Sequence, residues 1–137
     1  MKYHILQVSL TNKEVDLINE KGHDAVARHA RHLNEDILIH DYDHVADIEA
    51  DSLAEVVELG NADIDRYNHP QITMIADHPD QGLASISKGD IIINSKTYKC
   101  YYDTGYKFRL LDVEPAELVG LLFSSPTSKS IKISEVA

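Results

Sequence analysis

Between Arg31 and Arg66 the chain holds eleven carboxylates and no Lys or Arg, and in the middle of that block the acids fall on alternate residues. From Asp41 to Asp51, the positions Asp41, Asp43, Val45, Asp47, Glu49 and Asp51 alternate with Tyr42, His44, Ala46, Ile48 and Ala50. A period of two places successive residues on opposite faces of a strand, so this stretch predicts a β-strand with a carboxylate ladder on one side. Ser52 followed by Glu55 has capping-box spacing. Leu53, Val56, Val57 and Leu59 then mark a short helix ended by Gly60-Asn61, which carries the acidic face on through Glu55 and Glu58.

The formal charge of −10 resides in this block, because the remaining twelve acids face thirteen bases. A field of that sign repels duplex nucleic acid and anionic membrane and attracts basic protein surfaces. Hydrophobic residues make up 43% of the chain and charged residues 26%, which argues for a folded domain despite the acid block. At 137 residues one domain is expected, with possible subregions 1–76 and 83–123 and a flexible tail at 124–137. The opening residues have too short an apolar run for a signal peptide or a membrane span, and Cys100 is the only cysteine. No internal disulfide can form, cysteine-paired zinc sites are excluded, and a reducing cytoplasm is the expected compartment. Among Tyr98, Tyr101 and Tyr102, Cys100 reads as a structural strand residue.

The predicted fold is α+β. Tyr3 to Leu10 reads as a first strand, and Thr11 as the cap of a helix that contains Val15, Leu17 and Ile18 and stops at Lys21-Gly22. Asp24 to Leu33 predicts a second helix and a helical hairpin. After the acidic strand-helix unit, Gln71 to Ala76 predicts another strand, and the turn formers of Asp77 to Gly82 separate two halves. Asp90 to Ile93, Thr97 to Tyr102 and Tyr106 to Leu111 then predict an antiparallel β-meander. Pro115 opens a last short helix through Leu118, Val119, Leu121 and Leu122, and Ile131 and Ile133 could add an edge strand.

Ser85-Ile86-Ser87-Lys88-Gly89-Asp90 leading into Ile91-Ile92-Ile93, with Tyr98 and Gly105-Tyr106 beyond it, resembles the C-terminal signature of the YodL-like group of small phage and mobile-element proteins. Tyr42, His44-Val45-Ala46, Leu53, Val56 and Gly60-Asn61 are similar to that group's second block. Together the blocks span residues 42 to 110, and Lys88 stands where the group has a small apolar residue. The resemblance implies a phage or plasmid setting, hence the cytoplasm of a bacterial host, and a fold more than an activity. In physical terms the signature is a turn: Gly89 permits a tight bend and Asp90 can accept from the turn's own amides.

Three functional readings follow. The first is a non-catalytic accessory protein, without cofactor, that binds a basic host-protein surface through Asp41, Asp43, Asp47, Glu49, Asp51, Glu55 and Glu58. Same-face carboxylates roughly 6.6 Å apart on a strand approximate phosphate spacing, so such a face could imitate DNA and inhibit a defence or nucleic-acid enzyme. The second is a single-stranded nucleic-acid module in which Lys88, Lys96, Lys99, Lys107 and Arg109 lie among Tyr98, Tyr101, Tyr102, Tyr106 and Phe108. The third is a small metal-dependent enzyme using His40, Asp41, Asp43 and His44. On a strand, which the alternation of acids favours, His40 and His44 lie roughly 13 Å apart, too far to share one ion, whereas on a helix they would stand one turn apart and a two-histidine site would be possible. His23, His29 and His32 read as solvent-facing or helix-packing side chains. No glycine-rich phosphate loop, nucleophile elbow or paired catalytic acid appears.

Overall fold

The computed structural model describes residues 1–38, 41–62, 64, 68–75, 85–114 and 116. Their elements are β1 (Lys2–Gln7), α1 (Asn12–Lys21), a 3-10 turn (His23–Ala25), α2 (Ala27–Leu33), β2 (Asp43–Glu49), α3 (Leu53–Asn61), β3 (Ile72–Met74), β4 (Ile91–Asn94), β5 (Cys100–Asp103) and β6 (Phe108–Leu111). The α+β reading holds, and the strands form one antiparallel sheet in the order β3-β2-β1-β4-β5-β6. The C-terminal meander is present as β4, β5 and β6. The expected last helix lies, apart from Ala116, outside the described residues, as do the turn at 77–82, His40 and the tail at 124–137. No helix among the described residues is long and apolar enough to cross a membrane.

The N-terminal strand is central, not peripheral. β1 pairs with β2 on one side and with β4 on the other, so a single sheet runs across the divide expected near 77–82. Alternation along β1 explains the arrangement: Tyr3 and Ile5 point to one face, and His4 and Leu6 to the other. The first face joins Tyr3, Ile5, Ala46, Ile48, Ile72 and Ile92 to Val56 of α3 and to Ile86. The second joins Leu6, Ile91, Ile93, Cys100, Tyr102 and Leu111 to Ile37 and Tyr42. Ile5, Ile48, Ile91, Ile92 and Ile93 are fully buried, and each such side chain contributes about 1.5–3 kcal/mol.

Local signals set the element ends. Thr11 accepts from the Glu14 amide while Glu14 reaches back to the Thr11 amide, a complete capping box. Gly22 ends α1 at φ 96°. The expected second helix is split, because Val26 adopts extended angles between the 3-10 turn and α2. α2 is tied back to the start of α1 by Arg28, whose guanidinium bonds Glu14 and the Ser9 carbonyl. At α3, Ser52 accepts from the Glu55 amide, but Glu55 bonds the amide of Asp51 and not that of Ser52.

The signature turn behaves as its chemistry suggests. Gly89 has φ 96°, and Asp90 Oδ2 accepts from the Ser87 amide at 2.9 Å and from Gln7 Nε2 at 3.0 Å. The turn is fastened to the second face by the Tyr42 hydroxyl, which donates to the Gly89 carbonyl at 2.7 Å. The Tyr102 hydroxyl likewise donates to the His32 carbonyl at the end of α2.

Candidate functional site

β1 and β2 are out of simple register. Ile5 faces Ala46 and Leu6 faces His44, so Val45 is an extra residue bulged out of β2. In a regular strand His44 and Asp47, three residues apart, would point to opposite faces. The bulge puts both on the face of His4, whose own partner across the ladder is Asp47.

Three side chains converge there. Asp47 Oδ1 lies 2.6 Å from His4 Nδ1 and 2.6 Å from His44 Nε2, and the two rings meet edge to face with centroids 5.1 Å apart. Side-chain exposures of 14%, 15% and 17% for His4, His44 and Asp47 leave the cluster shielded yet reachable from solvent. Burial opposes ionisation of Asp47, but the hydrogen bonds from His4 and His44 outweigh it and hold the carboxyl well below the usual range. An ionised carboxylate only accepts, so both histidine nitrogens donate to it. The sheet face turns apolar one strand away, where Ile93 pairs with His4. The cluster therefore sits at the rim of a hydrophobic core.

This placement corrects the expected acidic ladder. Asp41 is buried and held in a two-pronged bond to Arg31, at 2.9 Å to Nε and 2.7 Å to Nη2. Asp43 is buried, only 4% exposed, and Asp47 is committed to the two histidines. Neither Asp41 nor Asp43 nor Asp47 presents an outward charge: Asp41 precedes β2 and is tied to Arg31, Asp43 is buried, and the bulge brings His44 onto the same face as Asp47 and His4. Glu49, Asp51 and Glu58 are exposed and Glu55 is half-buried. Glu49 lies 3.6 Å from the Met1 amino group. The expected metal set breaks up too: Asp41 goes to Arg31, and His44 joins His4 and Asp47 instead.

The basic and aromatic strands are dispersed. Tyr102 is fully buried, Tyr101 and Phe108 are half-buried, and Tyr98 and Tyr106 are exposed. Arg109 stacks over Tyr102, 5.5 Å from the ring centroid, and reaches Glu35 at 3.3 Å. Lys88, Tyr106 and Lys107 line an open pocket of about 440 Å³ together with Val57, Ile86 and Phe108. Cys100 is buried, which pushes its thiol up to about 12 and removes it as a nucleophile.

The sequence pattern carried no signal for the His4, His44 and Asp47 cluster. His4 lies 40 residues before His44 in the chain, and only the β1–β2 register and the bulge bring the two together. No protein-family model, curated protein or solved structure matches the chain.

Proposed function

We propose that this chain is a non-catalytic accessory protein of a phage or mobile element that docks on a basic protein surface of its host. The observation that carries this reading is the acidic corner where β2 runs into α3. Glu49, Asp51, Glu55 and Glu58 fall there within ten residues, in a stretch from 32 to 65 that has no Lys or Arg. Steering by such a corner favours encounter with a cationic groove, of the kind nucleic-acid enzymes and defence nucleases present. Asp41, Asp43 and Asp47 are withdrawn from the contact face, so docking rests on the corner and not on a long ladder of phosphate-like spacing.

The test is charge reversal with a matched control. E49K/D51K/E58K should abolish recovery of a host protein captured from bacterial lysate at low salt. D16K/E20K/D24K changes the net charge equally on exposed positions of α1 and the following turn, and it should retain that protein. Equal loss in both variants, or retention in both, removes the corner as the contact.

The pocket beside Lys88, Tyr106 and Lys107 favours a second reading, single-stranded nucleic-acid binding by one localised face. Labelled single strands titrated at low salt separate the two, since the docking reading requires no binding.

A further inference from the structure

We infer that His4, His44 and Asp47 form a binding site for a first-row transition-metal dication of the zinc type. The ligand atoms are His4 Nδ1, His44 Nε2 and Asp47 Oδ1, all within 4.8 Å of one another. Zinc binds imidazole nitrogen and carboxylate oxygen at about 2.0–2.2 Å. Tetrahedral donors at that distance are about 3.3–3.5 Å apart. The two 2.6 Å contacts to Asp47 therefore open by less than about 1 Å to admit an ion.

Four features point to a metal and not only to a self-contained hydrogen-bonded trio. Two imidazole nitrogens and a carboxylate oxygen, one ligand atom from each residue, lie close enough together to share one ion. They stand on β1 and β2, adjacent interior strands of the sheet, so the backbone positions are fixed before an ion arrives. One of them reaches the site only because of a β-bulge, a device common beside functional sites. The cluster is partly exposed, so water can complete the coordination shell.

Two imidazoles and one carboxylate select zinc and its first-row neighbours over magnesium and calcium, which prefer all-oxygen shells. Three protein ligands leave at least one position to solvent, the arrangement of an open site and not of a closed structural one. For each neutral ring the proton on the coordinating nitrogen moves to the ring's other nitrogen, so the ligand set stays balanced without a further base.

The measurement is a titration of untagged, metal-stripped full-length protein with zinc chloride against a chromophoric chelator. One ion per chain is expected. D47N, which keeps the shape of the carboxylate, should weaken binding by about a hundredfold or more, beyond the 10- to 100-fold that follows loss of a mere outer partner. H23Q/H29Q should bind as the parent does, although His23 Nδ1 and His29 Nε2 lie 3.0 Å apart elsewhere on the surface. Magnesium chloride at the same concentration should not compete. Absence of zinc binding, or binding untouched by D47N, overturns the site and leaves a hydrogen-bonded trio in its place. Should D47N fail to fold, the histidine ring resonances of the parent protein decide: shifts confined to His4 and His44 on zinc addition support the site, and shifts elsewhere overturn it.

Discussion

Gly89 shows how much one position can decide. Its φ of 96° is ordinary only for glycine, and a Cβ built there would stand 2.0 Å from the His32 ring. Gly22 has the same φ with nothing within 4 Å. Gly89→Ala should therefore cost about 2–4 kcal/mol, from backbone strain plus a displaced ring, whereas Gly22→Ala should show the smaller backbone share alone. Urea unfolding of the two variants checks this; equal losses would mean that the contact with His32 is worth nothing. The residues of this turn were legible in sequence because Gly and Asp act through their own backbone neighbourhood. Asp41 and Asp47 were not, since their fate depends on Arg31, His4 and His44, which lie from three to 43 residues away.

At the scale of elements, caps and alternation carried over well and register did not. Thr11 caps α1 and Ser52 caps α3 as their sequence neighbourhoods suggest. Replacing Ser52 by Ala removes the acceptor for the Glu55 amide and should cost about 1 kcal/mol, read as a lower unfolding midpoint with an unchanged denaturant slope. A changed slope would instead mean that α3 had come away from the sheet and exposed Val56. The β2 strand marks the limit of pattern reading. Its period of two is real on either side of Val45, but a single bulged residue reverses the phase and sends His44 and Asp47 to one face.

For the whole molecule, buried ionisable groups set opposing pH dependences. Burial raises the Asp90 carboxyl to about 7, so its contribution favours the folded state below an unfolded pKa of about 4 and is lost as pH rises toward 7. Burial lowers His32 to about 4, so its contribution is present above about 6.5 and is lost as pH falls toward 4. The two slopes oppose each other across the same window, and they belong to one packed unit, since the His32 ring rests against Gly89. Asp47, held low by its histidines, adds stability above about pH 4 that disappears below it. Asp90→Asn removes one arm of this balance. Relative to the parent, its stability should rise between pH 4 and 7, by on the order of 2–4 kcal/mol in total. Urea midpoints at pH 4.5 and 7 measure it, and parallel behaviour of the two proteins would show that Asp90 titrates normally.

The α+β class, the helix caps, the meander and the signature turn could be read from residue order, because each depends on interactions within a few residues along the chain. That β1 lies between β2 and β4, that the acidic strand is interior, and that His4 meets His44 and Asp47 emerged only from contacts between distant parts of the chain. Those outcomes depend on which strands pair and in what register, and a one-residue bulge changes the face a side chain occupies without leaving any periodic trace in the sequence.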